Sequence, residues 1–100
     1  MSWPLLLQVE GKAPVVLTGP SLLGRDPKAD VLIADQYASS RHAVIWPSGR
    51  QWLIRDLGTV NGTRVNEEPV YESLALSRGD LVRIGRTRIT VVPMAPEGEQ

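Results

Sequence analysis

The sequence has 100 residues, which suffice for one domain with a modest hydrophobic core and are too few for two. Hydrophobic residues make up 42% of the chain and charged residues 22%, an ordinary globular composition that argues against intrinsic disorder. The 11 basic and 11 acidic residues cancel, so no net field attracts nucleic acid or anionic lipid, and neither partner is expected.

Residue types narrow the function further. The chain has no cysteine and one histidine, so neither a disulfide nor a metal site is expected, and no cofactor is predicted. The apolar runs are too short to span a bilayer, and no signal-peptide pattern opens the chain, so we expect a cytoplasmic protein without a membrane partner. Nine of the 11 basic residues are arginine, whose planar fork suits phosphate or carboxylate, although a codon preference would give the same skew.

Short apolar segments between turn residues predict β-strands in chain order. The first four lie within residues 3–11, 13–19, 21–25 and 30–35. Residues 42–57 predict a hairpin whose turn is Pro47-Ser48-Gly49, and residues 80–92 predict a closing hairpin across Gly85-Arg86. In the closing hairpin apolar and polar residues alternate with the period of two that is typical of half-buried strands.

No segment sustains helical periodicity over the ten or more residues that a helix usually needs. Residues 67–77 come closest, but Pro69 interrupts them. The fold class is therefore predicted to be all-β, an antiparallel sandwich or barrel. We expect residues 1–93 to form this domain and residues 94–100, rich in Pro, Gly and Glu, to form a flexible tail or the start of a linker.

Three motifs lie in predicted loops, where rigid β scaffolds usually carry binding residues. Gly24-Arg25 ends the third strand, and Ser39-Ser40-Arg41-His42 follows fourteen residues after Arg25. Asn61-Gly62 stands within Asp-Leu-Gly-x-x-Asn-Gly-Thr-x-Val-Asn, and Leu-Ser-Arg-Gly-Asp-Leu-Val-Arg-Ile-Gly follows at residues 76–85. Each motif alone is weak, because Gly-Arg pairs and Asn-Gly turns are common. Together, in this order and at these separations, they resemble a forkhead-associated (FHA) domain over residues 5–92.

The resemblance implies an antiparallel β-sandwich of about eleven short strands whose loops at one end bind phosphothreonine in a partner protein. The implied function is that of a signalling module that recognises proteins phosphorylated by a Ser/Thr kinase. The implied partner is a phosphothreonine-containing protein, either a Ser/Thr protein kinase or the substrate of one.

The resemblance also assigns roles to the loop residues. Arg25 is the expected phosphate cation, since its fork can hold two phosphate oxygens, and the Ser39 hydroxyl should donate to the phosphate. Ser40 and Arg41 would add a second donor and a second positive charge. Asn61 would grip the peptide backbone, which needs both a donor and an acceptor. From the residues alone, a surface role for Arg25 and Arg41 and a turn role for Ser39 and Asn61 stay open.

Further residues are expected to support the site or to modify it. His42 is implied to be structural, tying the phosphate loop to the framework, with Gly24 and Gly62 as supporting positions. Arg64, just past the Asn-Gly turn, is expected either to contact the flank of the peptide or to be a plain surface charge. Val60 belongs to the phosphothreonine-binding set, yet it replaces a hydroxyl residue of the family, so one side-chain hydrogen bond is lost. Two carboxylates, Glu67 and Glu68, stand where the family usually has glycine.

Two other functions compete with phosphothreonine recognition. A phosphate-independent interaction or self-assembly module on the same fold would use aromatic residues such as Trp3, Trp46, Trp52 and Tyr37. A hydrolase would need a Ser39/His42/Asp56 triad, but no Gly-x-Ser-x-Gly motif accompanies it. We therefore expect no enzyme activity and assign no catalytic residue.

Overall fold

The computed structural model describes residues 3–95 and contains, within them, eleven β-strands and no helix. No helix in this range is therefore long and apolar enough to cross a membrane. The strands are β1 (Leu5–Val9), β2 (Val15–Leu17), β3 (Ser21–Gly24), β4 (Val31–Leu32), β5 (Ala43–Ser48), β6 (Gln51–Asp56), β7 (Thr63–Val65), β8 (Glu68–Pro69), β9 (Ser73–Leu76), β10 (Leu81–Ile84) and β11 (Thr87–Pro93).

The strands form two sheets that pack as a sandwich. One sheet has six strands in the order β2-β1-β11-β10-β7-β8, and the other has five in the order β4-β3-β5-β6-β9. The pairing of β3 with β4 is parallel, whereas the other paired strands are antiparallel. The predicted all-β sandwich of about eleven strands is confirmed.

The core lies between the two sheets and follows from the alternation within the strands. In β1 the side chains of Leu5, Leu7 and Val9 point inward, and the residues between them face outward. The opposite sheet contributes Ile45 and Ile54, which are directly paired and fully buried. Such alternation places apolar side chains on one face of each sheet and leaves the other face to solvent.

The two predicted hairpins are confirmed as β5–β6 and β10–β11. The first turn is tighter than predicted, because Pro47 and Ser48 belong to β5 and only Gly49 and Arg50 connect the strands. Gly49 has a φ of 61°, a conformation that suits the two-residue turn of a twisted hairpin.

Residues outside the hairpins differ more from the sequence predictions. Residues 67–77 contain two short strands, β8 and β9, and Pro69 lies in the edge strand β8, where a missing N–H is tolerated. Trp52 is buried at 3% exposure, so it is not available as a surface aromatic. Within the predicted tail, the Met94 N–H donates to the Pro4 carbonyl at 2.8 Å, and residues 96–100 lie outside the described residues.

Candidate functional site

The backbone holds the Gly24-Arg25 segment against the segment that follows residue 38. The Arg25 N–H donates to the Ser39 carbonyl at 3.0 Å, and the Asp26 N–H donates to the Ser40 carbonyl at 3.1 Å. These bonds lie just beyond the last β3–β5 residue pair, Leu23 with Ala43. Two of the three motifs are therefore direct neighbours at one end of the sandwich, opposite the β5–β6 turn.

Gly24 makes this close approach possible. The residue is buried, and a Cβ atom built on it would overlap the Ser40 carbonyl, with the carbonyl carbon only 2.8 Å away. The obstructing atoms belong to the backbone, so they cannot swing aside as a flexible side chain would. A residue without a side chain is thus required where the two segments touch.

His42 joins the second motif to the third. Its ring is fully buried, its Nδ1 accepts the Ser39 N–H at 2.9 Å, and its Nε2 lies 2.8 Å from the Gly62 carbonyl oxygen. Because Nδ1 accepts a hydrogen bond, Nε2 must carry the hydrogen and donate to that carbonyl. One side chain therefore fixes the positions of the Ser39 and Asn61-Gly62 loops relative to each other.

Asp56, at the end of β6, organises the Asn61 loop from within. Its Oδ1 accepts hydrogen bonds from the hydroxyls of Thr59 and Thr63, both at 2.7 Å, and its Oδ2 accepts the Gly58 and Thr59 N–H groups. Burial opposes ionisation of Asp56, but the hydrogen bonds donated by Thr59 and Thr63 hold the pKa of its carboxyl below the ordinary value. The ionised carboxylate therefore holds residues 58, 59 and 63 of the loop in place through these four hydrogen bonds.

The hydrolase alternative does not fit this geometry. In a triad the histidine ring accepts the proton of the serine hydroxyl, and its other nitrogen donates to the carboxylate. Here Nδ1 is bonded to the backbone N–H of Ser39 and Nε2 faces the Gly62 carbonyl, while Asp56 lies 3.6 Å from Nε2. Both nitrogens of a fully buried ring are engaged with the backbone, so His42 cannot serve as a base for a substrate.

The predicted phosphate-binding side chains project from this frame into solvent. Arg25, Ser40 and Arg41 are exposed, and Ser39 is half-buried. Among residues 3–95, no hydrogen bond or ion pair occupies the Arg25 or Arg41 guanidinium. Val60 is 97% exposed at the tip of the neighbouring loop, which is unusual for a large apolar side chain.

Asn61 connects the site to a further loop that the sequence motifs did not include. Its Nδ2 donates to the Tyr37 carbonyl at 2.8 Å, and the Tyr37 ring lies under the Arg86 guanidinium at 4.6 Å. Asp35 accepts the N–H groups of Tyr37 and Arg86, so it ties the loop after β4 to the turn between β10 and β11. Here too burial opposes ionisation, but these hydrogen bonds lower the pKa of Asp35.

A cavity of about 240 Å³ opens between these loops. Its lining comprises Tyr37, Asn61, Gly62, Arg64, Arg83, Gly85 and Arg86. The structure thus places Arg64 beside the predicted site and adds Arg83 and Arg86, which the sequence motifs did not single out. In the sequence, only the excess of arginine over lysine indicated that Arg83 and Arg86 could bind an anion. Nowhere in residues 3–95 do three His, Asp or Glu side chains group in a way that could hold a metal ion.

Comparison with known proteins places this arrangement in a family. The family model for the FHA domain matches residues 22–85, which span the motifs from the third strand to the β10–β11 turn. The FHA domain-containing protein FhaB of Mycolicibacterium smegmatis is 39% identical over 74 residues, which are 74% of this chain and 48% of that protein. The glycogen accumulation regulator GarA of Mycobacterium tuberculosis is 38% identical over 76 residues, 76% of this chain and 46% of that protein.

Solved structures agree with the sequence relatives. The FHA domain of the CT664 protein from Chlamydia trachomatis superposes with a TM-score of 0.85 at 30% identity, covering 92% of this chain and 99% of that one. A domain solved in work on phosphothreonine-dependent FHA domain interactions gives a TM-score of 0.84 at 33% identity, covering 93% and 98%. The chain spans about half the length of the curated relatives it matches. It belongs to the FHA-domain family.

Proposed function

We propose that this domain binds phosphothreonine in a partner protein and performs no chemistry of its own. The observation that carries the proposal is the Arg25 guanidinium, exposed and without a protein partner among residues 3–95, beside Ser39 and Ser40 on a frame fixed by His42. An arginine fork with adjacent hydroxyl donors matches the three acceptor oxygens of a phosphate group.

Each neighbouring side chain has a place in this proposal. Arg25 holds two phosphate oxygens, Ser39 and Ser40 donate hydroxyl hydrogens, and Arg41 adds a second positive charge. Asn61 contacts the peptide backbone next to the phosphothreonine. Its amide oxygen is available, because the amide nitrogen is the atom bonded to Tyr37. The binding geometry is prepared before the ligand arrives, which lowers the entropy lost on binding.

The partner class follows from the ligand. Phosphothreonine is made by Ser/Thr protein kinases, so the domain is proposed to recognise either an autophosphorylated kinase or a substrate of one. The domain solved in work on phosphothreonine-dependent FHA domain interactions supports this class. The proposed location, the cytoplasm, is where such partners are commonly phosphorylated.

The test is a fluorescence-anisotropy titration with a degenerate phosphothreonine peptide pool and its unphosphorylated twin. The wild-type domain should bind the phosphorylated pool, and Arg25→Ala should weaken this binding at least about thirty-fold, because a bidentate charge-assisted contact is lost at a cost of about 2–5 kcal/mol. Arg55→Ala is the matched control, since Arg55 is also exposed but faces outward on the five-stranded sheet.

Two outcomes would contradict the proposal. Equal binding of both pools would favour the phosphate-independent interaction module, for which Trp46, half-buried on the outer face of the five-stranded sheet, is the remaining aromatic candidate on that sheet. Equal losses in Arg25→Ala and Arg55→Ala would mean that the attraction is general electrostatics, without a defined phosphate site.

A further inference from the structure

A row of arginines crosses the outer face of the six-stranded sheet at the binding end. Arg83 of β10 is directly paired with Arg64 of β7 on one side and with Arg88 of β11 on the other. Like charges at directly opposed positions repel each other and destabilise a sheet. Such an arrangement is unfavourable unless an anion shares it.

A fourth arginine extends this row toward the phosphothreonine loops. Arg86 projects from the β10–β11 turn and stacks on Tyr37, an arrangement that holds the guanidinium plane in place. Arg64, Arg83 and Arg86 line the cavity of about 240 Å³ described above, which we name the arginine pocket. Arg88 does not line it.

Glu67 already places a carboxylate on these arginines. Its Oε2 lies 3.0 Å from Arg83 Nη2, and its carbonyl oxygen accepts a hydrogen bond from Arg64 Nη1 at 3.0 Å. Glu67 has a φ of 70°, a left-handed conformation that is disfavoured for a residue with a Cβ atom. Asn66 and Glu67 are the two central residues of the β7–β8 hairpin turn, in which both take positive φ, so the turn itself holds Glu67 beside the arginines.

We propose that the arginine pocket binds a second phosphate, carried by the same peptide whose phosphothreonine occupies the Arg25 site. The proposal rests on the function proposed above. The three guanidinium groups outnumber the carboxylates beside them, Glu67 and Asp35, so the pocket keeps a net positive charge that attracts a phosphorylated side chain with its charge of about −1.5 to −2. A glutamate side chain would supply only half of that charge, so phosphate is the favoured ligand.

The two sites are close enough for one peptide. Asn61, proposed to hold the peptide backbone beside the phosphothreonine, also lines the arginine pocket together with Gly62. An extended peptide advances about 3.3–3.6 Å per residue, so a second phosphate only a few residues away reaches the pocket.

The experiment compares peptides that share one phosphothreonine and differ at a second position. Phosphoserine, glutamate or alanine is placed two to five residues before or after the phosphothreonine, and the affinities are measured by anisotropy. At one spacing or a few, phosphoserine should tighten binding about tenfold or more relative to alanine, and glutamate should give a smaller gain. In Arg83→Gln and in Arg86→Gln the ratio of the two affinities should fall toward one.

Matched variants separate a pocket from general attraction. Arg88→Gln removes a charge from the same row outside the pocket and should keep most of the gain, whereas Glu67→Gln should enlarge the gain by removing the competing carboxylate. Thermal unfolding of each variant verifies that the domain is folded.

The outcomes distinguish this inference from the proposed function. If the peptide with phosphothreonine alone binds no better than its unphosphorylated form, the proposed function fails. If it binds but a second phosphate adds nothing at any spacing, or if Arg88→Gln removes the gain as fully as Arg83→Gln, only the arginine pocket is overturned. If the glutamate peptide binds as tightly as the phosphoserine peptide, the proposed preference of the pocket for phosphate is overturned.

Discussion

Gly24 ends a strand of the sandwich and packs against the backbone of Ser40 in the proposed phosphate site, so a substitution there should affect both stability and binding. Gly24→Ala should lower the free energy of unfolding by about 1–3 kcal/mol, because the new methyl group overlaps the Ser40 carbonyl and the backbone must shift. It should also weaken phosphopeptide binding, since the displaced segment carries Arg25, Ser39 and Ser40.

Gly19→Ala is the control for this prediction. No atom lies within 4 Å of a Cβ built at Gly19, and its φ is not in the left-handed region. Chemical denaturation measures the free energy of unfolding of both variants, and peptide titration measures their affinity for the phosphopeptide. A Gly24→Ala domain with wild-type stability and affinity would show that the contact is not required.

Val60 offers a prediction in the opposite direction. Replacing it with threonine restores a hydroxyl at a loop tip that is almost fully exposed, where the change should not affect packing. One additional hydrogen bond to the ligand contributes about 0.5–1.5 kcal/mol, so the affinity for a phosphothreonine peptide should rise between about twofold and tenfold. Val16→Thr, an exposed valine of β2, controls for the substitution itself and should leave the affinity unchanged.

At the scale of elements, the site depends on loops that are tied to one another across the two sheets. Asp35 follows β4 of the five-stranded sheet. It accepts hydrogen bonds from the Arg86 N–H in the β10–β11 turn at 2.7 Å and from the Thr87 hydroxyl of β11 at 2.9 Å. Gly85 belongs to the same contact, since a Cβ there would lie 2.7 Å from Asp35 Oδ1. The link positions Tyr37 and Arg86 together.

Asp35→Ala should release this link. The N–H groups of Tyr37 and Arg86 lose a charged acceptor, so their hydrogen exchange should accelerate about tenfold or more. As a control, Asp30→Ala removes an exposed carboxylate that accepts the Leu22 N–H, and it should leave exchange at Tyr37 and Arg86 unchanged. Unchanged exchange in Asp35→Ala would mean that the loop is held by other contacts.

Elements with alternating patterns could be predicted from the sequence, and contacts between distant loops could not. The β5–β6 hairpin follows from apolar segments on either side of turn residues, and the β10–β11 hairpin follows from alternation across a turn. The ordered motifs indicated the family. The link from Asp35 to Arg86 joins residues 51 positions apart, and no local pattern encodes such a contact. The turn at Asn66 and Glu67 was equally hidden, because both have positive φ and glutamate is not a residue expected there.

For the whole molecule, the two carboxylates with lowered pKa values predict how stability responds to acid. Asp35 and Asp56 stay ionised in the fold below their ordinary pKa of 3.8, so the unfolded chain binds more protons in that range. Their stabilising contribution is complete above about pH 4 and is lost as the pH falls through the lowered folded-state values. Both carboxylates hold loops of the binding end, so acid should loosen that end as well.

Asp56→Asn tests this prediction. The variant should be less stable than the wild type at pH 7, because asparagine is a neutral and weaker acceptor for the Thr59 and Thr63 hydroxyls. The difference should shrink as the pH is lowered from about 4 toward 2, which denaturant titrations at several pH values would reveal. Parallel stability curves for the two proteins would contradict the assigned role of Asp56.

The pairing of β1 with β11 also determines how the domain responds to a pulling force. Leu5 lies opposite Pro93, and the Met94 N–H donates to the Pro4 carbonyl, so both ends of the described chain leave side by side, at the end opposite the proposed site. Residues 3 and 95 lie at the same end of the β1–β11 pair, so a force that separates them would break the hydrogen bonds between these strands one after another, starting at that end. In a single-molecule experiment the sandwich should therefore yield at low force and open first at the end that carries no ligand.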